Sequence, residues 1–138
     1  MLPVVTVSTK LRWVIVWACL SGVGCTGDTP FLSVGDSADE SGTPKITITS
    51  IGVSPKMLTV TQGQRVLFVN NDTVAHEMAS DFHPTHDRWP VLNQVGYLAP
   101  GQSRETGNLN SVGLVTYHDH LDAENENLLG AIQIVALD

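Results

Sequence analysis

The histidines of this chain lie in its second half, in two groups. His76, His83 and His86 form the first group, and His118 and His120 form the second. Neutral imidazole is the commonest protein ligand for copper, zinc and related metals. Because residues two apart in a strand point to the same face, the two imidazoles of the second group could reach one ion. We therefore expect a metal site built by two separated segments.

Composition narrows the chemistry of such a site. No cysteine follows Cys25, so the mature domain has no thiolate for a nucleophile or for a zinc-cysteine site. Seven Lys and Arg stand against fourteen Asp and Glu, and no basic patch is visible, so we expect no nucleic-acid partner. No Ser/His/Asp arrangement or phosphate loop is present, and we assign no catalytic residue.

Residues 1–25 have the pattern of a secretory signal. Lys10 and Arg12 precede an apolar run, 13–20, that is too short for a membrane span of about 20 residues, and small residues lead to Cys25. The ending resembles a bacterial lipoprotein signal, in which such a cysteine is lipidated. Ordinary cleavage nearby or an uncleaved anchor are alternatives. In each case we expect an extracytoplasmic bacterial protein, either periplasmic or secreted, or a lipoprotein that touches the membrane through its lipid.

The remaining chain predicts a flexible linker, 26–44, and one all-β domain, 45–138. The linker is rich in Gly, Ser, Asp, Thr and Pro and has no apolar periodicity. Alternation of apolar and polar residues predicts strands at 46–51, 57–60, 65–70, 74–78, 103–106, 113–118 and 131–136. We expect a turn at 52–55, a long loop at 80–96, and a loop or a single helical turn at 121–127. Short strands spaced by turns favour a β-sandwich or barrel.

The order of these pieces resembles the cupredoxin family of Greek-key β-sandwiches, which bind copper. Four elements carry the resemblance, from about Ile46 to Val135. They are Ser54-Pro55 with the strands and Gly63 that follow, Asn70-Asn71-Asp72 before His76, Leu98 to Ser103, and Gly113 to His118 with Leu129 to Ile132. The resemblance implies a cupredoxin-like Greek-key sandwich with His76 at the place of the first copper ligand.

This chain departs from the family where electron-transferring members bind copper. Asp119 stands in the place of the cysteine ligand, and Leu128 stands where the methionine would be. A blue site needs a thiolate, so the resemblance implies the fold without the blue site. What remains is similar to a subset of bacterial cupredoxin-like proteins that end in a His-Asp-His strand. Any copper would then be held by imidazoles, which favour Cu(II).

The ligand set keeps several alternatives open. We expect His76, His118 and His120 as ligands, with His83 and His86 either joining the site, forming a second one or remaining solvated. Asp119 is a further candidate, as a ligand or as the carboxylate that orients an imidazole. If Asp119 faces the old copper position, His118 and His120 face away from it, unless a bulge or an early strand end intervenes.

These observations predict an extracytoplasmic protein that binds a metal ion, copper first and another divalent metal second. Acquisition, delivery or protection are the expected roles, with a protein partner for delivery. The alternatives are a small copper redox enzyme, an oxidase or a dismutase-like activity, and a β-sandwich interaction module without metal.

Overall fold

The computed structural model describes residues 41–138, and these residues fold almost entirely into β-strands. The strands are β1 (Lys45–Thr49), β2 (Gly52–Ser54), β3 (Met57–Thr61), β4 (Leu67–Asn70), β5 (His76–Ser80), β6 (Gly96–Leu98), β7 (Ser103–Glu105), β8 (Gly113–Asp119) and β9 (Gly130–Val135). Two short 3-10 helices, His120–Asp122 and Glu126–Leu128, lie between β8 and β9. Within residues 41–138, no helix is long and apolar enough to cross a membrane.

The strands form two sheets that both mix parallel and antiparallel pairs. One sheet has the order β2-β1-β4-β7, with β1 and β4 parallel. The other has the order β3-β9-β8-β5-β6, with β3 and β9 parallel and β8 central. The expected turn at 52–55 is wrong in part, because Gly52–Ser54 forms β2 and pairs with β1. Three residues are too few to show an alternating pattern in the sequence.

The core lies where the alternating apolar residues of both sheets meet. Side chains that are less than 2% exposed include Ile46, Ile48, Phe68, Val115, Tyr117, Ile132 and Ile134. Phe68 and Tyr117 contact each other edge to face, with 5.2 Å between ring centroids and 85° between ring planes. Edge-to-face packing adds about 0.5–1.5 kcal/mol to the burial of such rings. This contact helps to fix β8, which carries the second histidine pair.

The long segment between β5 and β6 is irregular, as predicted, but it is anchored. Leu92 and Val95 are fully buried in the core, and Trp89 packs against the core cluster. The backbone of Val91 also accepts a hydrogen bond from Gly107 N at 2.8 Å. These contacts anchor the second half of the segment to the core, directly after its two histidines.

Candidate metal centre

The direction of each side chain on β8 decides which histidines can meet. The strand continues to Asp119 in an unbroken register, with Asp119 opposite Met78 and His118 opposite Ala79 on β5. Tyr117 is buried in the core, and side chains alternate between the two faces of a strand. Asp119 therefore lies on the inner face with Tyr117, whereas His118 points to the outer face of the sheet. No bulge or early strand end intervenes in this register.

Four imidazoles meet on that outer face. His83, His86, His118 and His120 each offer a ring nitrogen, and these atoms all lie within 4.8 Å of one another. His83 and His86 come from the segment after β5. Their ring centroids lie 5.5 Å from each other and 4.8–5.5 Å from those of His118 and His120. We call these four residues the histidine cluster. Two separated segments therefore bring together four nitrogen donors.

His118 is oriented by a carboxylate. Its Nδ1 lies 2.9 Å from Oδ1 of Asp81, and an ionised carboxylate only accepts hydrogen bonds, so Nδ1 carries the proton. The lone pair is then on Nε2, which is buried and has no hydrogen-bond partner among the residues that the structure describes. An unsatisfied buried nitrogen costs about 1–3 kcal/mol. A metal ion in the cluster would satisfy it.

His86 is fixed through both its ring and its backbone. Its Nδ1 donates to the carbonyl of Ser80 at 2.9 Å, and its own carbonyl accepts from Asn93 Nδ2 at 2.5 Å and from Ser80 Oγ at 3.2 Å. Its φ of 50° lies in the left-handed region, which costs a residue with a side chain about 1 kcal/mol or more. These hydrogen bonds keep the ring in place despite that strain.

The cluster contains one imidazole-imidazole hydrogen bond that a cation would replace. His86 Nε2 lies 2.8 Å from His120 Nδ1. Because the proton of His86 is on Nδ1, its Nε2 accepts and His120 Nδ1 donates. A neutral imidazole has two tautomers, so His120 can instead carry its proton on Nε2. Both facing nitrogens then have lone pairs for one ion.

The surroundings of the cluster lower the pKa of His83 and of Asp81. Loss of water around the ring lowers the pKa of His83 although the residue is exposed, and the neighbouring His120, His118 and His86 lower it further, because a second positive charge is unfavourable there. Burial would raise the pKa of Asp81, but hydrogen bonds from Thr116 and His118 outweigh it, so the pKa lies below its usual value. Asp81 therefore stays ionised beneath the cluster.

His76 and Asp119 lie together, apart from the histidine cluster. His76 Nδ1 is 2.7 Å from Asp119 Oδ2, and its Nε2 is 3.4 Å from Asp72 Oδ2. Asp119 Oδ1 also accepts from the backbone N–H groups of Glu77 at 2.8 Å and Leu121 at 3.1 Å. Both side chains are nearly fully buried. Asp119, which stands in the place of the cysteine ligand, thus accepts hydrogen bonds from three donors.

The metal ligands predicted from the sequence therefore divide into two groups. The residues that hold them in place are not predicted from the sequence. His83, His86, His118 and His120 come together, and His76 with Asp119 forms a separate pair. Cys25 lies outside the described residues. The sequence analysis assigns no role to Asp81, Ser80 or Asn93. The available signal was that Asp81 directly follows β5, the strand that pairs with the histidine-bearing end of β8.

Solved structures resemble this domain in fold. A purple cupredoxin from Nitrosopumilus maritimus matches at 18% identity and a TM-score of 0.51, over 66% of this chain and 98% of its own. Oxidised plastocyanin from Dryopteris crassirhizoma matches at 18% identity and a TM-score of 0.51, over 66% and 99%. Amicyanin from Paracoccus versutus matches at 15% identity and a TM-score of 0.52, over 66% and 79%. The domain has a cupredoxin-like fold.

No family model and no curated protein sequence matches the chain. The similarity in fold confirms the predicted cupredoxin-like Greek-key β-sandwich. The domain lacks the cysteine of the blue site.

Two places in the domain carry the side chains that the sequence predicts as metal ligands. The pair of His76 and Asp119 does not fit, because its facing atoms already share a hydrogen bond and no thiolate is present. The histidine cluster fits, because it offers nitrogen donors from four imidazoles and includes the buried Nε2 of His118 without a partner. Of the two places, the outer face of the sheet therefore carries the free nitrogen donors that a metal ion needs.

Proposed function

We propose that this chain is an extracytoplasmic metal-binding protein that holds copper in a non-blue site for acquisition, delivery or protection. His83, His86, His118 and His120 are the proposed ligands. The single observation that carries the proposal is the buried Nε2 of His118, which has no hydrogen-bond partner among residues 41–138 while its Nδ1 is held by Asp81. Such a carboxylate-histidine pair is the usual support of a metal-binding imidazole.

Copper is proposed ahead of other divalent metals for two reasons. A site of given nitrogen ligands binds Cu(II) more tightly than Zn(II) and the earlier metals of the series. The likeness to cupredoxins adds weight to the same choice. Bound copper would supply a positive charge and a one-electron couple, whereas the chain supplies the nitrogens, the fixed tautomers of His86 and His118, and the anionic Asp81.

The test is a titration of the purified chain, without a histidine tag, with Cu(II), followed by visible absorption and electron paramagnetic resonance. We expect one stoichiometric site with weak visible absorption and nitrogen hyperfine structure. His118→Ala and His120→Ala should abolish it. Loose, non-saturating copper would contradict the proposal and favour the metal-free interaction module.

His76→Gln is the matched control, because it also removes an imidazole from the domain but one outside the cluster. We expect this variant to keep the site wherever it remains folded by circular dichroism. Loss of the site in folded His76→Gln would contradict the proposed ligand set and return His76 to it.

A small copper redox enzyme is a second candidate, favoured by one observation. A cavity of about 380 Å³ is lined by His83 and His118 together with Asp81, Thr116, Leu129 and neighbouring residues. A small substrate could reach the cluster there. Turnover of superoxide or of an organic reductant by the copper-loaded protein would support this role, and its absence would leave binding as the function.

A further inference from the structure

Three members of the histidine cluster are held in place by the fold. His86 is bonded through its ring and its backbone, and His118 is bonded to Asp81. His120 directly follows Asp119, which caps the 3-10 helix that begins at His120 and accepts from Leu121 N. Each of these imidazoles therefore has a position set by contacts that are present without metal.

The fourth member is different. His83 is exposed and forms no hydrogen bond among residues 41–138, and it contacts the cluster through its ring alone. It also lines the cavity of about 380 Å³, many times the roughly 30 Å³ that one water occupies. A small molecule in this cavity would therefore lie next to the place that the His83 ring takes in the cluster.

We propose that His83 is an exchangeable ligand, and that an external imidazole-type nitrogen donor can take its position while His86, His118 and His120 keep the ion. This inference rests on the proposed function and adds a way for the bound metal to be passed to another donor. An incoming donor binds first, so the metal is not released to water before it is handed over. The donor is either a free small molecule or a histidine side chain of a partner.

Chemical rescue tests the exchange. His83 is exposed and makes no hydrogen bond among residues 41–138, so we expect His83→Ala to fold. The variant should bind one Cu(II) more weakly than the wild-type protein, because one of four ligands is missing. Free imidazole should then change its electron paramagnetic resonance spectrum toward that of the wild-type protein. His118→Ala, in which the missing ring was buried, should show no such rescue.

The outcomes separate this inference from the proposed function. Absence of a stoichiometric site in the wild-type protein overturns both. Loss of copper from His83→Ala as complete as from His118→Ala or His120→Ala overturns the exchange and leaves the four-histidine site standing. Retained copper with no spectral response to imidazole also overturns it.

A second probe distinguishes the sources of the donor. A blocked tripeptide with a central histidine carries its imidazole on a peptide backbone, as a partner protein would. Rescue by this peptide as well as by imidazole supports exchange with a protein donor. Rescue by imidazole alone supports exchange with small molecules.

Discussion

At the scale of single residues, the contact between Asp81 and His118 has the clearest chemical consequence. The carboxylate fixes which nitrogen of His118 carries the proton, and its negative charge makes the other nitrogen a better donor. A backbone carbonyl, that of Ser80, does the same for His86. The protonated nitrogens of His118 and His86 are thus fixed by different acceptors, a charged carboxylate for His118 and a neutral carbonyl for His86.

We expect Asp81→Ala to weaken Cu(II) binding by about tenfold to a hundredfold, the usual effect of removing an outer-shell partner. Asp81→Asn should weaken it less, because the amide oxygen still accepts from His118 while the charge is lost. Affinity is measured by competition with a chelator of known strength.

The control for that change is Asp87→Asn. Asp87 is exposed in the same loop and makes no side-chain hydrogen bond or ion pair among residues 41–138. The Asp87→Asn substitution removes the same charge without changing a contact of His118. Equal losses in the Asp81 and Asp87 variants would mean that overall charge, rather than orientation, sets the affinity.

The acid stability of the metal-free protein should also depend on Asp81. Its folded pKa is lowered below the ordinary 3.8, so the unfolded chain binds more protons in acid. The stabilisation is present above the unfolded value and is lost as pH falls through the folded pKa. We expect melting temperatures to fall less steeply below about pH 4 in Asp81→Asn than in the wild-type protein. Parallel curves would contradict this contribution.

At the scale of elements, Asp119 joins three parts of the chain. It ends β8, its Oδ1 accepts from Glu77 N on β5, and it caps the 3-10 helix that follows. Its Oδ2 holds His76 at the start of β5. This carboxylate therefore ties the end of the sheet together from the inner side, directly behind the histidine cluster.

Asp119→Ala should destabilise the domain by about 3–5 kcal/mol, because it leaves a buried imidazole and backbone N–H groups without their acceptor. Urea unfolding of the metal-free protein measures the change. Asp119→Asn is the matched variant and should cost less, since it retains an oxygen acceptor. A loss below about 1 kcal/mol for the alanine variant would show that water replaces the carboxylate there.

The sequence predicted most strands and the histidine types, but it left their partners open. Alternation in β1, β3, β8 and β9 reports burial directly, so those strands were expected close to their observed bounds. The same alternation contained the conflict between Asp119 and its flanking histidines. The structure resolves it by placing them on opposite faces. The path of residues 81–95 was beyond prediction, because it depends on distant contacts of Leu92, Val95 and Trp89 rather than on a local period.

At the scale of the whole molecule, a metal that binds the native state alone should raise its stability by mass action. With free Cu(II) at about 100 times Kd, the expected gain is about 2.7 kcal/mol. For a domain of this size, that corresponds to a rise in Tm of roughly 10–20 °C. Differential scanning calorimetry measures it, and a chelator should reverse it. An unchanged Tm in saturating copper would argue against a native-state site.

The inner carboxylate-imidazole pair has a further consequence for the life history of the protein. Because Asp119 and His76 satisfy each other, the end of the sandwich is complete before any ion arrives. A newly made chain should therefore fold completely in the absence of metal. In the proposed function, supply of the ion would then set the occupancy of the outer face without setting how much folded protein accumulates.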